Sequence, residues 1–422
     1  MADPVLLLTI DTLRRDRFAK EYFPETWEIF NTDFANFSSA HSHGNSTPLA
    51  FPGIMTSYPV RGNGQFHTDA QTIAEQFPAS NTSGFSNNAH LTPERGYDRG
   101  FDLFHDLAPP DANSIVDRLK QIDTLRDSEF VAQGYRFYRK VLESVRTPDA
   151  TGVHPFPNPK TTADVVSDFV IRRIREDDSF IWGHYMDPHK PFHPDQAVGL
   201  SDEERSYEEI EYLNSYEHGK DPLPDDDIKY LESLYESNIR YLDRELNRLF
   251  ESMKEAGTFE DALIIVVGDH GELFGEHGLM FHPMDVDPVD ELLQTPLLVK
   301  YPGNEDGGHE YDHLTQHGDI LPTIIDQIGG ETTAVSEYTH LLRDTANRHV
   351  VSKSNTAVRV TEGEEYAIKR RDGTSENIDS LTNVGQELIE IEDFAKVRTT
   401  SGVAKGVEEA ERNRQLDALG YK

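Results

Sequence analysis

Three apolar runs, each ending on an acid or a histidine, constrain this chain more than any other feature. VLLLTI (Val5 to Ile10) stops at Asp11, SFIWGHYMDPH carries Phe180 into His184, Asp187 and His189, and DALIIVVGDHGE carries Ala262 into Asp269 and His270. A short continuous apolar stretch bounded by turn residues suits a strand buried on both faces, as in a parallel sheet covered by helices. Helical periodicities fall between the runs, at Ala70 to Gln76, Ser114 to Val145, Thr162 to Arg175 and Asp225 to Met253. Strands alternating with helices predict an α/β fold, a mostly parallel central sheet flanked by helices. Ligands in such folds bind at the carboxyl ends of the strands, where these acids and histidines fall.

Near residue 330 the pattern changes. HVVSKSNTAVRVTEGEEYAIKRRDGTSENI alternates apolar and polar residues around turn signals at Gly363 and Asp372-Gly373, which predicts a small antiparallel sheet. The charged segment Gly402 to Ala418 is predicted to close as a helix, and the proline-rich stretch Thr147 to Thr161 as a surface loop. The expected division is a catalytic α/β domain over 1–330 and a small C-terminal subdomain over 331–422, with antiparallel strands and a terminal helix.

Charge and cysteine usage narrow the chemistry. Asp and Glu number 76 against 40 Lys and Arg, a formal net charge of -36. Such a surface repels nucleic acid and anionic membranes. The acids are scattered through patterned segments, as in salt-adapted proteins, where salt screens the self-repulsion. With Cys 0, disulfides, thiolate metal sites and cysteine nucleophiles are excluded. The N-terminal apolar run is far shorter than the ~20 residues a membrane span needs and has no basic flank, so the expectation is a cytoplasmic protein without a membrane span.

Oxygen and nitrogen ligands remain. Asp11, Asp269 and His270 at strand ends suit a divalent cation: Ca²⁺, Mg²⁺, Mn²⁺ or Zn²⁺. In HGNSTPLAFPGIMTS (His43 to Ser57), two adjacent hydroxyls, Ser46 and Thr47, precede Pro48 at the predicted start of a helix. A hydroxyl there serves as a helix cap, and it also faces free N–H groups and a positive dipole end that suit a tetrahedral anion.

VLLLTIDTLRRDRF, the Thr47 segment, GHYMDPHKPF, VVGDHGELFGEHG and TPLLVKYPG follow the order and spacing of the sulfatase branch of the alkaline phosphatase superfamily, which the chain resembles over most of its length. YAIKRRDGTSENIDSLTN is similar to that family's small terminal sheet. With its acidity, the chain resembles a haloarchaeal-type member. The resemblance implies an alkaline phosphatase/sulfatase-like fold and metal-dependent hydrolysis of sulfate or phosphate esters, through a hydroxyl nucleophile and a covalent intermediate. Residue by residue, Asp11, Asp269 and His270 fall on metal-ligand positions, with Thr12 replacing the second Asp of many members' DD pair. His189 matches a histidine that contacts the ester and protonates the leaving group. His282 stands where many members have a lysine. Asn88 and His90 in SNNAHL take the Lys and His positions of a KWHLG-like stretch. His184 is a second candidate to face the substrate, and its strand-end position is equally consistent with a packed, hydrogen-bonded histidine.

The departures from the family pattern bear on the nucleophile. Family sulfatases use formylglycine made within CxPxR. Matching the helix end Thr56-Ser57 to the family's Thr-Gly puts Thr47 at that position; matching Pro48 to the motif proline puts Ser46 there, with Ala50 where arginine is needed. Neither register gives the motif, so formylglycine is not expected. Thr47 precedes Pro52 by five residues, as in the superfamily's phosphoethanolamine transferases, and is favoured over Ser46. A second cation would fall to Asp187, His189, His193 or His277. Arg14, Arg15 and Arg17 read mainly as a solvated charged face, with one available to clamp an anion. Three other readings stand beside this one: a phosphodiesterase, phosphonate hydrolase or phosphotransferase of the same superfamily, a formylglycine sulfatase acting through Ser46, and a non-catalytic binding member of the fold. The expected partner is a small-molecule or glycan ester, whose organic part the sequence leaves open, with contacts from Pro109 to Gly134 and Val198 to Pro224. Oligomeric state is equally open.

Overall fold

The computed structural model describes residues 4–58, 66, 70–77, 81–106, 162–192, 198–199, 205–216, 222–330, 338–343 and 348–391. The three apolar runs are three adjacent strands at the centre of an eight-stranded sheet. Its order is Glu310–Tyr311, Ala35–Phe37, Leu297–Lys300, Leu263–Gly268, Val5–Ile10, Phe180–Tyr185, Thr82–Ser86 and Leu103–Asp106. Neighbours are parallel except around Leu297–Lys300, which runs antiparallel to both of its partners. Register decides what this sheet delivers. Ile10 pairs with Tyr185 on one side and Gly268 on the other, so Asp11, Met186 and Asp269 leave the sheet at one level.

Every residue of the three central strands is buried, and alternation sends their side chains into two apolar layers. Leu6, Leu8, Ile181, Ile264 and Val266 pack beneath the helices Ala163–Arg175 and Asp225–Ala256. Leu7, Trp182, Ile265 and Val267 pack beneath Thr47–Thr56 and Ile320–Gln327. The long helix begins with three aspartates after Pro224 and ends on Gly257 in the left-handed region, signals that favour each dipole end. Among the described residues, no helix is long and apolar enough to cross a membrane.

The predicted helix at Ala70 to Gln76 is only a 3-10 turn, Ala74–Gln76. Thr72 and Glu75 do cap one another across their amides. The chain then leaves after that single turn, because the Phe77 ring stacks on Phe180 with centroids 5.2 Å apart. Ser114 to Val145, Thr147 to Thr161, Pro109 to Gly134 and Gly402 to Ala418 lie outside the described residues, as does part of Val198 to Pro224.

The predicted C-terminal sheet is present as His349–Lys353, Ala357–Glu362, Glu365–Arg370 and Ser375–Glu376, all antiparallel. It is tied to both segments that flank the strand ends. Ser352 Oγ donates to Ser42 O at 2.6 Å and Lys353 N to His43 O at 2.9 Å. Asn355 N donates to Met284 O, and the Arg370 guanidinium forms a fork on Asp287 at 2.6 and 2.8 Å.

His43 packs against Gly53 of the Thr47–Thr56 helix, where an added Cβ would lie 1.9 Å from the ring. Gly53→Ala is therefore expected to cost about 1–3 kcal/mol by overpacking, read as a lower urea midpoint with an unchanged slope. Burial holds His41 at a pKa of about 4 and His43 at about 3, the arginine and lysine charges nearby also opposing a proton on His43. Unfolded chains take up these protons near pH 6.5, so this contribution to stability is whole above that pH and is lost as pH falls toward 4 and 3. Between pH 6 and 5, a His43→Gln variant should show a slope of unfolding free energy against pH about 1.4 kcal/mol per unit shallower than wild type.

Candidate active site

The strand ends and one helix N-terminus converge. Asp11 follows Ile10 directly, and Thr12 turns the chain with φ 58, a left-handed conformation costly for a β-branched residue. Two hydrogen bonds hold that turn: Thr12 N donates to Asp269 Oδ1 at 3.0 Å, and Tyr235 OH donates to Thr12 O at 2.8 Å. Ser46 is extended and Thr47 is the first residue of the helix, with Pro48 second, where its missing N–H costs nothing. Ser46 Oγ makes no capping bond and is buried without a partner, whereas Thr47 Oγ1 lies 3.3 Å from His270 Nε2 and 3.5 Å from Asp11 Oδ2.

Asp11 and Asp269 are each satisfied at one oxygen and bare at the other, and His270 is held at one nitrogen and turns the second to the Thr47 hydroxyl. Asp11 Oδ2 accepts from Asn88 Nδ2 at 2.6 Å and lies 3.2 Å from His184 Nε2, while Oδ1 has no hydrogen-bond partner. Asp269 Oδ1 accepts the amides of Thr12 and His270, the latter at 2.7 Å, while Oδ2 has none. His270 Nδ1 donates to Gly271 O at 2.8 Å, which puts its proton there and leaves a lone pair on Nε2. That lone pair faces the two bare oxygens, 3.7 Å from Asp11 Oδ1 and 3.5 Å from Asp269 Oδ2. Three hard or borderline donors, fully buried and aimed at one point, fit a divalent cation.

Electrostatics agree with that fit. Burial pushes the Asp11 carboxyl up, but His189, then His184 and His270 beside it, outweigh burial and hold it below the usual carboxylate range. Burial and the Asp11 charge push Asp269 well above that range. Burial, then His282, holds His270 at about 3 and so neutral. Two apposed carboxylates beside a neutral imidazole repel one another, and a dication between them removes the repulsion.

The other expected residues divide. Asn88 reaches both Asp11 and Thr47, its Nδ2 standing 3.4 Å from Thr47 Oγ1, and its Oδ1 accepts the His90 amide at 2.8 Å. It is therefore the His90 backbone that supports Asn88. The His282 ring lies 4.7 Å from that of His270 and 5.1 Å from that of His189, which brings both predicted histidines to the cluster. His184 departs from the expectation that it faces substrate: it is wholly buried, with Nδ1 at 2.9 Å from Thr9 Oγ1 and Nε2 on Asp11, so both nitrogens are occupied by the protein.

The expected solvated face of Arg14, Arg15 and Arg17 is corrected. Arg14 is buried and ion-paired with Asp16 and Glu276, and it donates to Glu272 O; Arg17 is paired with Asp16, Glu232 and Glu236. Arg15 Nε donates to Ser38 O. These guanidiniums are spent on loop anchoring. Of the residues considered for a second cation, Asp187 Oδ1 accepts Ala163 N at the start of the Ala163–Arg175 helix, and His277 is exposed beside Glu291. His193 lies outside the described residues.

Glu272 was not singled out by the sequence. It is fully buried, and its Oε1 accepts from His282 Nδ1 at 2.8 Å, which turns His282 Nε2 away from it. The signal was present, three residues after Asp269 in GDHGE, but nothing local said which histidine it would meet.

A mostly parallel sheet whose strand ends gather Asp, Asp and His before a hydroxyl on a helix N-terminus defines an alkaline phosphatase/sulfatase-like protein. The chain belongs to the Sulfatase family, which it matches over residues 4–330. It is similar to the multifunctional alkaline phosphatase superfamily protein PehA of Trinickia caryophylli, 31% identical over 133 residues, covering 30% of this chain and 25% of that protein. It is also similar to a choline-sulfatase of Rhizobium meliloti (strain 1021), 27% identical over 117 residues, 28% of this chain and 22% of the relative. These matches span about a quarter of the length of the curated relatives. Its fold is similar to that of a phosphonate monoester hydrolase of Agrobacterium radiobacter, with a TM-score of 0.64 at 17% identity over 99% of this chain and 96% of that one.

Proposed function

We propose that this protein is a metal-dependent hydrolase of sulfate or phosphate esters that works through Thr47. The observation that carries the reading is the convergence of two bare carboxylate oxygens, Asp11 Oδ1 and Asp269 Oδ2, with the His270 Nε2 lone pair beside Thr47 Oγ1. When bound there, a divalent cation supplies charge neutralisation and favours the ionised hydroxyl. Thr47 Oγ1 attacks sulfur or phosphorus in line, a bond to Oγ1 forms, and the bond to the alcohol oxygen breaks. His189 gives the departing oxygen its proton. Asn88 and the His90 and His282 imidazoles hold the non-bridging oxygens, where negative charge collects. Water, giving a proton to the now neutral His189, then attacks the sulfur or phosphorus, the bond to Thr47 Oγ1 breaks, and the anion is released.

A phosphodiester or phosphonate monoester is the second reading. It is favoured by Asn88 and His282, which offer an amide and an imidazole where family sulfatases offer lysines. The test is turnover of matched aryl sulfate, phosphate monoester, phosphodiester and phosphonate monoester substrates, in molar salt, with Mg²⁺, Mn²⁺, Zn²⁺ or Ca²⁺. Cation-dependent turnover of at least one is expected, and the preferred ester ranks the two readings. A folded protein that binds cation yet turns over none of the four would instead fit a binding member of the fold.

A further inference from the structure

Behind Asp11 runs a line of buried hydrogen bonds that the catalytic proposal does not use. Trp182 Nε1 donates to Thr9 Oγ1 at 2.9 Å, Thr9 Oγ1 lies 2.9 Å from His184 Nδ1, and His184 Nε2 lies 3.2 Å from Asp11 Oδ2. Thr9, Trp182, His184 and Asp11 are all fully buried. Sheet register enforces the contact: Thr9 and His184 are direct partners, and Trp182 lies two residues earlier on the same face.

The directions follow from the far end. An indole N–H can only donate, so Thr9 receives there and has its one proton free for His184 Nδ1. A Nδ1 that accepts leaves the imidazole proton on Nε2, aimed at Asp11 Oδ2. The Phe51 ring stands edge-on to His184 at 5.1 Å and blocks rotation of the imidazole. With Asn88 Nδ2 donating to the same oxygen and Thr47 Oγ1 3.5 Å from it, Oδ2 gathers the donors and Oδ1 has none.

We propose that Trp182, Thr9 and His184 form a relay that fixes which oxygen of Asp11 faces the cation. His184 is thereby a positioning residue that sets cation affinity without touching the substrate. This rests on the cation site proposed above. Without the relay, Oδ2 keeps Asn88 but loses the His184 donor, so orientations that present Oδ2 become more populated, and each is one the cation must reverse on binding.

The full-length protein is compared with Thr9→Val, Trp182→Phe, His184→Ala, His184→Gln and Asp11→Asn. Mn²⁺ affinity is measured by calorimetry, and the His184 tautomer in the metal-free protein by long-range ¹H–¹⁵N spectra. The wild type is expected to show the Nε2–H tautomer, and Thr9→Val to lose it. Mn²⁺ affinity should fall roughly 10–100-fold in Thr9→Val and His184→Ala. His184→Gln, which keeps an amide donor toward Asp11, should recover part of the loss, and Trp182→Phe should fall between wild type and Thr9→Val. An Nδ1–H tautomer in wild type overturns the relay, as does affinity equal to wild type in the folded Thr9, Trp182 and His184 variants. If Thr9→Val and His184→Ala do not fold, the tautomer, Trp182→Phe and His184→Gln still decide. If wild type binds Mn²⁺ no better than Asp11→Asn, the cation site itself fails and takes the relay with it.

Discussion

Thr47→Ala is expected to lower turnover of the preferred ester by roughly 10⁴-fold or more, the scale of removing a nucleophile whose partners stay in place. The fold should be almost untouched. Thr47 is the first helical residue, and the side chains that its Oγ1 meets, Asp11, His270 and Asn88, belong to the proposed site. Thr47→Ser should keep measurable activity, since it preserves the hydroxyl and loses one methyl. In wild type quenched during turnover, peptide mass spectrometry should find the sulfuryl or phosphoryl group on Thr47. A Thr47→Ala protein within tenfold of wild type would remove this mechanism and turn attention to Ser46, whose buried Oγ lies without a partner one residue away.

Asp269→Asn should abolish cation-dependent turnover and, at the same time, stabilise the metal-free protein. In wild type without cation, Asp11 and Asp269 are buried carboxyls facing one another, and burial and the Asp11 charge raise the cost of ionising Asp269. An amide at 269 removes that repulsion. With cation at a hundredfold excess over Kd, wild type should gain about 2.7 kcal/mol by mass action, and the variant close to none. Thermal melts with and without Mn²⁺ read both effects. The informative outcome is the crossing: the variant melts above wild type in chelator and below it in excess Mn²⁺. A variant less stable than wild type in chelator would mean that Asp269 serves chiefly as an acceptor for the Thr12 and His270 amides.

How much of the site was legible follows from how local each signal is. Val5–Ile10 and its terminal Asp11 are one unbroken stretch, and an apolar run that stops on an acid can be read without knowing its neighbours. The same holds for GDHGE, and for the turn signals at Gly363 and Asp372-Gly373, whose strands appear where the alternation placed them. His184 stays undecided between substrate contact and packing in the sequence for the complementary reason. Its role depends on Thr9 and Asp11, 175 and 173 positions away, and no pattern around HYMDPH contains them. Glu272 depended on His282, and Arg14 on Glu276, 262 positions distant. A charged run such as DTLRRDR looks the same whether its arginines meet water or buried carboxylates.

By itself the sequence determined the strands, the residue types that suit a divalent cation, the absence of thiol chemistry, and the hydroxyls at a helix start. Those are properties of composition and short-range periodicity, which the backbone geometry of strands and helices makes readable along the chain. The tertiary structure alone decided which atom of each ligand stays bare. It does so through register: Ile10 lies level with Tyr185 and Gly268, so Asp11 meets His184 and Asp269 from strands that begin more than 170 residues later. A carboxylate has two equivalent oxygens until the fold brings donors to one of them, and only then does the other become a ligand.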